Sequence, residues 1–206
     1  MISMKRCFAL YGAFIFASFF IASFLFSGCA STNLASSTDP DYVGKSFKKI
    51  VVFADTTDLE IRTKVENTFV QNAKDNNYNA VSWLQLFPAT RQHTDSSDDA
   101  VLQANGADGF ITFSFNGKGA HVQVDQAYYD KKGTFHPEEV HKSQWVKFDA
   151  TLFDVSHPPN WKKAWVASST SQTNGESDFS DPFITLINSF SQKVLDDLST
   201  KGLIQK

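Results

Sequence analysis

Two histidines and two glutamates fall within six residues, His136-Pro137-Glu138-Glu139-Val140-His141. Imidazole with carboxylate is a donor set suited to zinc or nickel, or to acid–base hydrolysis. Their spacing argues against a metal site. Ligands of a preformed site share one face of an element, and histidines five apart match neither the i, i+4 pairing of a helix nor the alternate positions of a strand. Lys131-Lys132-Gly133 and Pro137 mark a hairpin loop, so a solvated loop is the favoured reading. A metal-dependent or acid–base hydrolase using His136, Glu138, Glu139 and His141 is the alternative. His93 lies in a polar stretch and His157 precedes Pro158-Pro159, both turn or surface settings.

Other chemistry is sparse. The Ser-rich stretches hold no G-x-S-x-G, and Gly117-x-Gly119 lacks the third glycine and following helix of a phosphate cradle, so it reads as a turn. Arg62 and Glu66, four apart, suit a helix-surface ion pair better than a substrate clamp. No catalytic set emerges, and no cofactor or metal is expected. Aromatic side chains make up 14% of the chain. Trp145, Phe153 and Trp165 alternate with a core-facing set of Val146, Phe148, Leu152 and Val166. If that face is uncovered, the three rings form a partner-binding patch; if helices cover both faces, they are core.

Only Cys7 and Cys29 carry sulfur as thiols. Two cysteines exclude a disulfide framework and a thiolate zinc site. Lys5 and Arg6 precede a stretch from Phe8 to Phe26 without a charged residue, crowded with phenylalanine, and small Ser27 and Gly28 lead to Cys29. Leu25-Phe26-Ser27-Gly28-Cys29 resembles the lipobox that closes a bacterial lipoprotein signal peptide. The resemblance implies lipidation of Cys29, cleavage before it, and a mature chain starting there. Ala30, rather than Asp, implies forwarding to the outer membrane, facing the periplasm. Phe26 departs from the usual aliphatic residue. The alternative is an uncleaved anchor, since the uncharged stretch of 19 residues approaches the roughly 20 that cross a bilayer.

Cleavage would remove Lys5 and Arg6 from the 19 basic residues and leave 17 against 22 acidic, a formal balance of −5. No basic stripe remains, which argues against nucleic acid as a partner. The membrane, through the lipid on Cys29, and an envelope protein are the expected partners.

The domain reading is a signal peptide over residues 1–28, a lipidated cysteine and flexible tether over 29–46, and one periplasmic α/β domain over 47–206. Ala30 to Tyr42 holds few large apolar groups and several turn formers, hence the tether. Lys48 to Ala54 is a β-branched and apolar run, the pattern of a central strand covered on both faces. Thr57 and Glu60 form a capping-box pattern ahead of Ile61, Val65, Phe69 and Ala73, a helix from about Asp58 to Lys74. A strand over Asn79 to Leu84, a short helix capped by Thr94 or Asp95, and a strand over Ala107 to Phe115 follow. Beyond Phe115 come antiparallel strands around Val122, Val146 to Leu152, and Trp161 to Ser169. A helix from about Pro182 to Thr200 closes the chain, with Phe183, Ile187, Phe190, Val194 and Leu198 on one face.

This order predicts an α/β (α+β) fold: a mixed sheet of about six strands, two helices after the first strands, and a C-terminal helix packed on it. Phe47 to Phe115 resembles a group of largely uncharacterised bacterial envelope lipoproteins, through Arg62 and Glu66, Asn79-Ala80-Val81, Pro88 and Asn105-Gly106-Ala107-Asp108. The element order is similar to the amino-terminal domain of TolB and to CsgG-type periplasmic lipoproteins. Asn76-Asn77-Tyr78 lacks the glycine expected there. The resemblance implies a periplasm-facing, non-enzymatic protein acting in envelope assembly or binding.

Overall fold

The computed structural model describes residues 30–91, 94–173 and 182–205. Cys29, with the apolar stretch before it, lies outside the described residues. The expected mixed sheet is present, with six strands in the order β1-β8-β7-β4-β2-β3. These are β1 (Ala30–Thr38), β2 (Ile50–Asp55), β3 (Ala80–Ser82), β4 (Gly109–Asp125), β7 (Glu139–Asp154) and β8 (Lys162–Thr173). A two-stranded hairpin of β5 (Tyr128–Tyr129) and β6 (Phe135–His136) lies between β4 and β7. Strands β3, β2 and β4 run parallel, and β4, β7, β8 and β1 pair antiparallel.

Among the described residues four α-helices complete the fold: α1 (Leu59–Asp75), α2 (Trp83–Leu86), α3 (Asp95–Ala104) and α4 (Pro182–Thr200). Helix α1 begins because Asp58, not Thr57, accepts from the backbone N–H groups of Glu60 and Ile61. It ends where Asn77 takes a positive φ of 63°, a conformation Asn tolerates and one that removes the need for the expected glycine. Its stripe of Val65, Phe69 and Ala73 is fully buried. Helix α4 adds Ile187, Phe190, Val194 and Leu198, also fully buried. Between them Phe69, Phe113, Phe190 and Phe148 form a chain of ring contacts with centroids 4.4–5.2 Å apart. Each such ring contributes on the order of 1.5–3 kcal/mol by leaving water.

On the opposite face α2 and α3 cover only the β3-β2-β4 side. Val51, Val81, Phe87, Leu102 and Phe110 form this smaller core. Strand β2 is therefore buried on both faces, as its unbroken apolar run requires.

The expected flexible tether is instead a strand. Ala30 to Thr38 pairs residue by residue with Thr173 to Trp165 as the edge of the sheet. Its side chains are small, but Thr32 Oγ1 lies 2.8 Å from both Ser171 Oγ and Ser189 Oγ, and Leu34 packs on the main core. The ladder and these hydroxyl contacts supply what large apolar groups would otherwise provide. Folded structure is thus already present at Ala30, ahead of the start expected near residue 47.

The expected separate strands around Phe115 and Val122 are one strand, β4. It passes a bulge between Phe115 and Gly117, where the extra residue shifts the register.

Candidate functional site

A cleft of about 1020 Å³ opens where the carboxyl end of β2 and the middle of β4 meet the starts of α1 and α4. Open α/β sheets present crevices at the carboxyl ends of their strands, because the chain there diverges to opposite faces. Asp55, Thr56 and Thr57 follow β2 into one wall, and Ile61 of α1 continues it. Phe115 and Val146 form the floor, Phe183 and Leu186 the far wall, and Lys118 and Gln144 part of the rim. Phe115 contacts Phe148 and Phe183 with ring centroids 5.2 and 6.1 Å apart. The lining is mostly apolar, with few polar groups at the mouth, the composition of a binding site for an apolar group or side chain.

Trp145 borders the cleft from β7, with its side chain on the sheet face away from Val146 and Phe115. Its indole lies over Gly117 and Gly119, and a Cβ built on Gly119 would come 2.7 Å from Cζ2. The Gly117-x-Gly119 pair therefore serves close approach within a strand, rather than the turn read from sequence.

One buried carboxylate holds the elements around the site. Glu66 is fully buried, which corrects its reading as half of a surface ion pair with Arg62. Its Oε1 accepts from Ala54 N at 3.2 Å, and its Oε2 from Ser82 Oγ at 2.7 Å and Leu84 N at 3.0 Å. One helix residue thereby fixes the end of β2 and the turn from β3 into α2. Burial raises the Glu66 carboxyl, and the three donors with the Arg62 charge pull it partly back. Arg62 donates to the carbonyls of Ala54 and Thr56 at 3.2 and 2.5 Å and stacks on Phe53, so it shapes the loop after β2. At the other end of the sheet Tyr42 donates to Asp154 at 3.0 Å, and burial with that hydrogen bond pushes its hydroxyl up to about 12.

The three candidate partner-binding aromatics do not share a face. Trp145 is half-buried at the cleft. Phe153 is half-buried in the smaller core, beside Phe110 and Trp161. Trp165 is fully buried under α4, its Nε1 donating to Asp197 Oδ2 at 2.8 Å. Val166, expected in the core, is 40% exposed. The reason is register: Trp165 lies opposite core-facing Leu152 and Val166 opposite Thr151, so Trp165 joins the core face and Val166 the other.

The His136–Glu138–Glu139–His141 cluster does not converge. His136 stacks on Tyr128, ring centroids 4.6 Å apart, and faces Asp130 at 3.6 Å in the β5–β6 hairpin. His141, on β7, lies 3.4 Å from Asp125 and 3.6 Å from Glu139. Among the described residues no group of three or more His, Cys, Asp or Glu could hold a metal ion.

No protein-family model and no curated protein matches the sequence. Solved structures similar in architecture include a PelC dodecamer from Paraburkholderia phytofirmans, with 13% identity and a TM-score of 0.47, covering 83% of this chain and 98% of that one. A lipoprotein from Neisseria meningitidis has 13% identity and a TM-score of 0.40, covering 74% and 98%. A DUF4136 family protein from Bacteroides thetaiotaomicron has 7% identity and a TM-score of 0.40, covering 84% and 98%. These are distant likenesses, so the function of this chain is argued from its own residues.

Proposed function

We propose that this chain is a lipid-anchored protein of the bacterial cell envelope, held through Cys29 at the outer membrane and facing the periplasm. It binds another envelope component, or helps assemble one, without turnover. The compartment is supported by Lys5 and Arg6, the uncharged stretch to Phe26 and the Leu25 to Cys29 motif, and the resemblance in element order to TolB and CsgG-type lipoproteins agrees with it. The single observation that carries the binding role is the cleft between β2, β4 and α4, an apolar cavity large enough for a ligand or an inserted side-chain cluster.

Metabolic labelling with a tagged palmitate, in wild type and Cys29→Ala, tests the anchor. Label lost in the variant supports it, and an unlabelled protein retained in the inner membrane removes it. A photo-crosslinking residue in place of Lys118, which lines the cleft, compared with one in place of exposed Val43, tests the cleft. A discrete adduct from position 118 alone supports binding there, whereas equal adducts from both positions remove it. Turnover of a substrate by the purified chain would overturn the non-catalytic role.

A further inference from the structure

Beyond the cleft, β4 and β7 leave the sheet as a two-stranded arm. Their pairing continues from Ala120↔Gln144 to Asp125↔Glu139, five residue steps or about 17 Å at strand rise, and the β5–β6 hairpin extends it. The arm has two different faces. Ala120, Val122 and Val124 share one with Gln144, Lys142 and Val140, while His121, Gln123 and Asp125 share the other with Ser143, His141 and Glu139. The valines are 60%, 48% and 44% exposed for Val122, Val124 and Val140. At the tip Tyr128, Tyr129 and Phe135 are exposed beside Lys131 and Lys132.

The direction of the arm is fixed relative to the chain's start. Ala30 pairs with Thr173, whose Oγ1 accepts from Gln144 N at 2.9 Å, so Ala30 lies in the row from which the arm departs. Two strand spacings, about 10 Å, separate them. Cys29 is one peptide bond from Ala30, about 3.8 Å between Cα atoms. Because Ala30 is already paired in β1, no tether among the described residues separates the sheet from Cys29. An acylated Cys29 and an uncleaved apolar segment both bring the bilayer to this end of the sheet, and an arm longer than that gap reaches lipid.

We propose that the β4–β7 arm is a membrane-contacting ribbon, laying its Val122, Val124 and Val140 face and its Tyr128, Tyr129 and Phe135 tip into the interface of the bilayer that anchors the chain. Aromatic rings favour the headgroup level, where one edge is apolar and the other wet. Lys131, Lys132 and Lys142 reach the phosphates while their stems lie along apolar surface. The acidic pair Asp125 and Glu139 lies on the opposite face with His141, away from the lipid. The inference holds under either mode of anchoring through residues 8–29, so it stands or falls separately from Cys29 acylation and from the cleft.

The test uses the full chain reconstituted into vesicles of phosphatidylethanolamine and phosphatidylglycerol, with a dansyl-bearing amino acid in place of Phe135. A second protein carries it in place of Val43, which is 76% exposed and neighbours Tyr42, whose partner Asp154 marks the far end of the sheet. Doxyl-labelled lipids should quench position 135 several-fold more than position 43, with a blue-shifted emission at 135 alone. Equal quenching at both positions, or none at either, overturns the proposal. So does a position 135 shielded from both doxyl lipid and aqueous iodide, which would mean a protein covers the tip.

Discussion

Trp145 and Gly119 face each other directly across β4 and β7, and the indole occupies the space a side chain on Gly119 would need. A Cβ there would meet ring atoms at 2.7–2.8 Å, so Gly119→Ala must displace the ring. We expect a cost of about 1–3 kcal/mol and a red shift in tryptophan emission. In a Trp145→Ala background the same substitution should cost much less, a coupling that a double-mutant cycle in urea reads directly.

Trp145 and Trp165 should respond unequally to truncation. Trp165 is fully buried and donates to Asp197, which also accepts from Ser36 Oγ at 2.8 Å and faces Lys201 at 3.2 Å. Trp165→Ala leaves a cavity and removes one of the donors to Asp197 Oδ2, and should cost about 3–5 kcal/mol in equilibrium unfolding. Trp145 is half-buried, and Trp145→Ala should leave a folded protein with a smaller loss.

Glu66→Gln offers one carbonyl and an amide donor to three backbone and hydroxyl donors, so at least one buried donor loses its partner. A loss of about 1–3 kcal/mol is expected. Burial raises the Glu66 carboxyl in the folded state. Its contribution is therefore fully present below the unfolded-state value and is lost as pH rises through the folded one. The gap between wild type and Glu66→Gln should be widest in acid and narrow with rising pH; a gap that widens instead contradicts this assignment.

Tyr42 should ionise late. Its hydroxyl is pushed up to about 12 by burial and the hydrogen bond to Asp154, so its stabilising contribution persists below the ordinary value near 10 and disappears as pH rises through about 12. Spectrophotometric titration of the folded chain should show a delayed phase that is absent in Tyr42→Phe.

Deleting residues 30–38 distinguishes a strand from a tether. A tether could be removed without effect on folding. Removing β1 exposes the edge of β8 and strips Ser171 and Ser189 of their Thr32 contacts, so lowered thermal stability and aggregation through the bared edge are expected.

Much of the fold was legible because its signals are local. The apolar run at Ile50 to Ala54 and the four-residue recurrence of Val65, Phe69 and Ala73 reflect one element burying one stripe, and α4 appears within the limits its pattern gave. The β1 strand was illegible because its stability comes from pairing with β8, more than a hundred residues away, and its small polar side chains resemble those of a linker. The site was visible only in part. The apolar positions of Phe115 and Val146 carried a signal, but Phe183 and Ile61 carry none that separates cleft from core.

By itself the sequence determined most of the elements, their order and the mixed sheet, since hydrophobic period and capping residues act within a few turns of chain. It also determined the chemistry that the thiols exclude, as two cysteines supply no disulfide framework. Tertiary structure alone decided which side of the sheet each aromatic ring occupies. The β7–β8 register sets Trp165 opposite buried Leu152 and Val166 opposite Thr151, burying the one and exposing the other. It alone also decided that Ala30 and the β4–β7 arm share one end of the molecule, because strand register is set by long-range pairing that no local pattern contains.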